Sequence, residues 1–364
     1  MDGVDGASLG RLRPGGQCVF LRVRNGVGAG VAQRIRGKLK VFIDGGYNKP
    51  SVFQTTPARY DEAARRHRAL AKRLDVTIAE SFDALEPMIE SVDVLLGFRF
   101  PKDLIRTRAK RLKWMHATGA GVEHLMPLDW LPKGAVLTNN RGVHADKIAE
   151  SMLMAIVMLN NRMPEILRAQ RERRWNQIFT GTAAGKTLLI VGVGEMGGAA
   201  ARIAKRAGLK VWGVRRTGKA HPAVERMVKP EKLQSVLPRA DFVLVTAPVT
   251  PATRHLIGQR ELSAMKPGAA LINFGRAGVV DYNALRERLE GGHLSGAWLD
   301  VFDPEPLPSS SPLWTTKNLI ITPHCTSDDL DGYMPRTLDL FFENIGRLLA
   351  GQRLKNLVLP ERGY

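Results

Sequence analysis

Cysteine is almost absent from this chain: Cys18 and Cys325 are the only two in 364 residues. Two thiols make no disulfide framework, which points to a reducing compartment, the cytoplasm. Long apolar runs are missing too. The nearest approach, residues 151–159, is far shorter than the ~20 residues that cross a bilayer. Acids are scarce beside bases, 35 against 54, for a formal charge of +19. Aromatics make up only 6%, and no basic run is interleaved with them as a base-stacking platform requires. The charge therefore fits a surface matched to small anionic ligands better than it fits nucleic acid, though both readings stay open. What is present is length: 364 residues suffice for two domains with large cores.

Residues 1–37 differ from the rest. After Asp5 no acid occurs until Asp44, while Arg11, Arg13, Arg22, Arg24, Arg34 and Arg36 accumulate among glycines without helical or strand period. The segment lacks the serines and the amphipathic stripe of a transit peptide. We expect a disordered extension, or a stretch upstream of the true start.

Short apolar strands then alternate with helical patterns. Strands are expected at residues 40–44, 92–96, 112–115 and 136–138, with a helix over 57–74 and an apolar helix from Ala145 to about Leu159. This rhythm implies a parallel sheet. Further on, residues 242–246, 270–273, 298–300 and 319–322 read as buried strands, and residues 334–349 as an amphipathic helix.

Between these groups lies the stretch that organises the chain, TLLIVGVGEMGGAAARIAKRAGLKVWGVRR at 187–216. An apolar strand at 188–191 runs into Gly192, Gly194 and Gly197, spaced G-x-G-x-x-G, then into a helix and a second strand at 211–214. Gly192 allows a tight turn, Gly194 lets backbone approach a pyrophosphate, and Gly197 lets helix pack on strand. The N–H groups opening the helix, from Glu195 and Met196 onward, face the phosphates. The strand–helix–strand context makes the motif specific. An NAD site of this kind carries an acid about 20 residues on, for the ribose 2′-hydroxyl. None occurs between Glu195 and Glu225; the second strand ends instead in Arg215, Arg216 and Thr217. Those residues suit a 2′-phosphate, so NADP(H) is the preferred cofactor and NAD(H) a possible one.

Three later strand ends carry groups suited to redox chemistry on a carboxylate. Arg276 follows the strand at 270–273, Glu305 lies in DVFDPEPLP at 300–308, and His324 lies in TPHC at 322–325. An arginine can grip a carboxylate bidentately. A histidine can pass a proton to or from an oxygen, with a carboxylate orienting its ring. Singly each could be a surface or turn residue. Together, beside a dinucleotide site, they form a candidate site. No metal site is expected.

Over residues 38–364 the chain resembles the D-isomer-specific 2-hydroxyacid dehydrogenases. The matching stretches are LKWMHATGAGVEHL (112–125), GKTLLIVGVGEMGG (185–198), APVTPATRHLIG (247–258), LINFGRAGVVD (271–281), LDVFDPEPLP (299–308), ITPHCTS (321–327) and the ERGY tail (361–364). The resemblance implies that Arg276, Glu305 and His324 are catalytic, and that Ala247, Pro248, Asn273 and Asp300 join the cofactor site. It implies that Asp300 contacts the nicotinamide side. Backbone N–H groups around Ala120, Gly121 and Val122 would bind the substrate carboxylate. Arg99 matches a loop facing substrate in some members, with a surface arginine its equal rival. CTSDD at 325–329 departs from the small apolar residues common after the histidine, which leaves the substrate open.

The expected architecture is α/β: two Rossmann-like or flavodoxin-like parallel-sheet domains with a cleft between them. Residues 38–149 with 330–364 would bind substrate and residues 150–329 the dinucleotide. The last helix would return to the first domain, and the cofactor domain would build a homodimer. The expected activity is reduction of a small 2-oxo acid such as glyoxylate or hydroxypyruvate to a D-2-hydroxy acid with NADPH. The runner-up is a D-3-phosphoglycerate or other bulky D-2-hydroxyacid dehydrogenase. From another class, a dinucleotide-sensing transcriptional corepressor would share the fold. No membrane partner is expected, and nucleic acid is disfavoured.

Overall fold

The computed structural model describes residues 37–359. The amino-terminal extension, apart from Gly37, and the ERGY tail lie outside the described residues. Two parallel sheets carry the fold. The first consists of β1 (Leu39–Asp44), β2 (Leu74–Ala79), β3 (Val94–Gly97), β4 (Trp114–Ala117) and β5 (Val136–Thr138), in the order β2-β1-β3-β4-β5. The second consists of β6 (Thr187–Val191), β7 (Lys210–Val214), β8 (Arg226–Val228), β9 (Phe242–Val245), β10 (Ala270–Asn273), β11 (Gly296–Leu299) and β12 (Leu319–Ile321). Its order, β12-β11-β10-β9-β6-β7-β8, reverses direction between β6 and β9. The first order is flavodoxin-like and the second Rossmann-like, so ligands belong at the carboxyl ends of the strands at each reversal. The two-domain α/β expectation holds.

The central strands are almost wholly apolar because helices cover both faces. Val94–Gly97, Phe242–Val245 and Ala270–Asn273 are buried at every position. The strands missed in the sequence are the two half-exposed edges. β2, where a helix over 57–74 was expected to end, alternates buried Leu74 with exposed Asp75; the helix itself stops at Arg66, with a short turn over Arg68–Ala71. β8 is three residues long with no fully buried side chain. An edge strand buries one face at most, so it leaves no continuous apolar run to detect. The strand expected at 112–115 begins at Trp114, and that expected at 298–300 occupies Gly296–Leu299.

The helix Ala145–Asn160 crosses between the sheets. From Ile148 onward it packs Met152, Ala155, Ile156 and Leu159 on Leu188, Ile190 and Ala200 of the second sheet and its first helix. The chain returns through Tyr333–Leu349. This helix buries Met334, Leu338, Phe341, Phe342 and Ile345 against Leu39, Val41 and Trp114 of the first sheet. The segment behind it closes back on β5, where Val358 N–H donates to Leu137 O at 2.9 Å. The two crossings leave the strand ends of both sheets facing one cleft. No helix among the described residues is long and apolar enough to cross a membrane.

Candidate active site

The dinucleotide end is built around three glycines. Gly192 leaves β6 with φ +107°, a conformation that a side chain resists. A Cβ there would meet Ala247 N at 2.5 Å, and one on Gly197 would meet Gly192 O at 2.4 Å. Gly192 thus lets the turn lie against Ala247, and Gly197 lets the helix Glu195–Arg206 lie against β6. A Cβ on Gly194 would meet nothing within 4 Å. Gly194 caps that helix without any side-chain bond to its first N–H groups. Open space in front of unclaimed N–H donors is a cradle that fits a pyrophosphate. Exposed Glu195 and partly exposed Met196 stand at its edge, and Pro248, partly exposed, follows Ala247.

Beyond β7, Arg215 is half-buried while Arg216 and Thr217 are exposed. Arg215 is anchored by its backbone N–H to Val228 O at 3.0 Å, and neither guanidinium has an acidic partner among the described residues. Nearby His221 was not foreseen. Its Nε2 lies 2.9 Å from where a Cβ on Gly198 would stand. Its pKa is lowered by burial first, then by the charges of Arg202 and Arg215. These groups make the second strand's end a positive corner facing the helix start. His221 carried no signal in the sequence, since only the fold brings residue 221 to residue 198.

The reacting end sits in a cleft of about 600 Å³ lined from both sheets, by Ala120, Gly121 and Glu123 on one side and Arg276, Glu305 and His324 on the other. His324 Nδ1 is 2.8 Å from Glu305 Oε2, and Glu305 Oε1 accepts Phe302 N–H at 2.8 Å. The backbone thus holds the carboxylate that holds the imidazole by Nδ1, at the lining of the cleft. His324 has φ +50°, an unusual conformation for a non-glycine residue. The surrounding turn enforces it, and Asp300 is the centre of that turn. Asp300 Oδ1 accepts Thr322 Oγ1–H at 2.7 Å and Cys325 N–H at 3.1 Å, while Oδ2 accepts Thr326 Oγ1–H at 2.7 Å. Burial pushes its carboxyl pKa up, against the opposing pull of these donors.

Arg276 follows β10. Its Nη1 donates to Gly275 O at 2.8 Å and its Nε to Glu123 Oε1 at 2.9 Å. A Cβ on Gly121 would stand 1.9 Å from Arg276 Nη2, so the guanidinium lies directly on the 119–122 loop. Asn139 Nδ2 donates to Ala120 O at 2.8 Å and Asn140 N–H to Gly119 O at 3.0 Å, which fixes that loop from β5. Val122 is buried, so only its backbone can serve a ligand.

Three of the expected site residues stand outside the cleft lining. Asp300, 1% exposed, spends both oxygens on the His324 turn and does not line the cleft. Asn273 is wholly buried; its Nδ2 donates to Arg276 O at 3.1 Å and Tyr282 Oη at 2.9 Å, and its Oδ1 accepts Gly275 N–H. Both shape the turns that present Arg276 and His324. Arg99 is exposed and stands outside the cleft lining, where its neighbour Phe98 lies instead. Glu123, His144 and Asp328, not foreseen as site residues, line the cleft.

This fold, with a dinucleotide cradle and a histidine–carboxylate pair facing an arginine, defines a two-domain nicotinamide-dependent oxidoreductase. The model of the family described as "D-isomer specific 2-hydroxyacid dehydrogenase, NAD binding domain" matches residues 153–326. The chain is 32% identical over 248 residues to a glyoxylate reductase of Thermococcus litoralis, covering 66% of this chain and 74% of that one. It is 30% identical over 325 residues to glyoxylate/hydroxypyruvate reductase B of Pectobacterium atrosepticum, covering 86% and 99%. A crystal structure of a D-isomer specific 2-hydroxyacid dehydrogenase from Xanthobacter autotrophicus Py2 in complex with NADPH and MES superposes with a TM-score of 0.76 at 34% identity, covering 90% of this chain and all of that one. The chain belongs to the D-isomer specific 2-hydroxyacid dehydrogenase family.

Proposed function

We propose that this protein reduces small 2-oxo acids, glyoxylate or hydroxypyruvate among them, to D-2-hydroxy acids with NADPH. The observation that carries the reading is the pairing of His324 with Glu305 across a small cleft from Arg276. The names of the Thermococcus and Pectobacterium relatives support the substrate class. With the dinucleotide's pyrophosphate held in the glycine cradle, the nicotinamide would supply the hydride that C2 of the substrate accepts. Backbone N–H groups around Ala120 and Gly121, with Arg276, hold the substrate carboxylate and orient the carbonyl. His324 gives the Nε2 proton to the carbonyl oxygen as C2 is reduced, and Glu305 stabilises the imidazolium beforehand. Asp300 and Asn273 position these two turns. Arg215, Arg216 and Thr217 receive the 2′-phosphate; the absence of an acid there and the NADPH complex of the Xanthobacter protein support this choice.

A homodimer is the assembly we assign. Trp175 and Phe179 are 90% and 89% exposed on the segment that follows the crossing helix, and Met154 and Val157 are exposed on that helix. Apolar surface of this kind fits a second copy. The cytoplasm suits the unpaired Cys325. The deciding experiment is steady-state NADPH oxidation with a panel of 2-oxo acids. Turnover with glyoxylate or hydroxypyruvate supports the reading, and no turnover with any acid refutes it in favour of a sensing role.

A further inference from the structure

Three of the basic side chains lining the cleft arrive with their own carboxylates. Arg276 is bonded to Glu123 at 2.9 Å and His324 to Glu305 at 2.8 Å. His144 Nδ1 lies 3.3 Å from Asp328 Oδ1 and 3.2 Å from Ser327 O. A carbonyl only accepts, so that nitrogen carries the proton. His124 Nε2 faces a neutral partner, Phe98 O, at 3.0 Å. One lining cation, Arg254, has no carboxylate partner among the described residues. It stands on the 247–258 loop, with Nη1 3.6 Å from where a Cβ on Gly278 would lie.

Glu305 has an assigned task beside the histidine, but the reaction needs neither Glu123 nor Asp328. Glu123 crosses from the first sheet's loop to the arginine of the second, and its Oε2 is 2.6 Å from where a Cβ on Gly121 would stand. It therefore borders the place proposed for the substrate carboxylate. Asp328, with its side chain 15% exposed, sits four residues beyond His324, in the CTSDD segment that departs from the family's small apolar residues. We infer that Glu123 and Asp328 make this cleft selective for 2-oxo acids whose only anionic group is the carboxylate beside the carbonyl, and exclude acids bearing a phosphate or a second carboxylate. The inference rests on the function proposed above.

A single carboxylate exchanges with or shares Arg276 beside Glu123. A second anion finds His144 already bonded to Asp328 and meets the carboxylates of Glu123 and Asp328 on two sides, against Arg254 as the one lining arginine without a carboxylate partner among the described residues. At separations of a few ångströms in a partly screened cleft, each fixed carboxylate disfavours a second anion on the order of 10-fold.

The test compares hydroxypyruvate with its phosphate ester, 3-phosphohydroxypyruvate, with glyoxylate alongside, in the full chain and in Glu123→Gln and Asp328→Asn. Wild type is expected to favour the unphosphorylated acid by on the order of 100-fold in kcat/KM, both carboxylates acting. Each variant is expected to narrow that ratio by about 3- to 10-fold, chiefly through the KM of the ester. An ester reduced as well as its parent by wild type, or a ratio unmoved in both variants, overturns the inference alone. Wild type that turns over none of the three acids overturns the proposed function and the inference with it.

Discussion

Replacing Gly121 with alanine isolates the clamp from the rest of the chemistry. The new Cβ would stand 1.9 Å from Arg276 Nη2 and 2.6 Å from Glu123 Oε2, so both side chains must move. Each obstacle is the far end of a flexible side chain, and Gly121 has no positive φ. The backbone therefore tolerates alanine, and the change in Tm should stay within about 2 °C. Function should not escape as lightly. Arg276 leaves the 119–122 loop, and the substrate carboxylate loses one charge-assisted contact of about 1.5–3 kcal/mol. That corresponds to roughly a 10- to 150-fold fall in kcat/KM for glyoxylate at saturating NADPH. The loss should be shared with Arg276→Ala: adding Gly121→Ala to that background should change little more, because both remove the same contact. Kinetics of the two single variants and the double variant, with thermal melts, make the assay. A Gly121→Ala enzyme within threefold of wild type, or full additivity in the double variant, would refute the placement of Arg276.

His324→Gln keeps a hydrogen-bonding group without a transferable proton, so kcat should fall by about 10²–10⁴-fold while NADPH binding, measured by fluorescence, barely moves; near-normal turnover would remove His324 from the proposed role. Arg215→Asp should abolish a preference for NADPH over NADH that we expect at about 30- to 1000-fold in kcat/KM, a range that discounts the charge-assisted contacts for exposure; equal use of both coenzymes by wild type would sink the 2′-phosphate site. Acid should destabilise the fold through His116, which is wholly buried between Thr138 and Asn140 and whose pKa burial lowers from 6.5 to about 4. A lowered histidine pKa means the unfolded chain binds the proton more readily, so this stability is fully present above pH 6.5 and is lost as pH falls toward 4. Urea melts should show about 2–3 kcal/mol of pH-dependent loss between pH 7 and 4.5 in wild type that His116→Gln lacks; equal slopes in both would refute it.

Local chemistry was enough to find the dinucleotide motif, because its glycines, strand and helix are consecutive in the chain. Buried strands such as Phe242–Val245 declared themselves through continuous apolar runs, and the last helix through its periodic stripe. Arg276, Glu305 and His324 could be singled out because strand ends in parallel sheets are where polar groups converge. The edge strands β2 and β8 escaped because half-exposed backbone imposes little on side-chain choice. For Asp300 and Asn273 the sequence shows a polar residue at a strand end but not which way its side chain turns. Burial decided that: an enclosed carboxylate or amide must bond to whatever donors enclose it, here the turns carrying His324 and Arg276. Glu123 met Arg276 and His144 met Asp328 only when the two crossings brought distant loops together, and His221 met Gly198 only when the chain beyond β7 folded back on the helix Glu195–Arg206. Charge pairing across a cleft depends on distance in space, and no spacing along the chain encodes it.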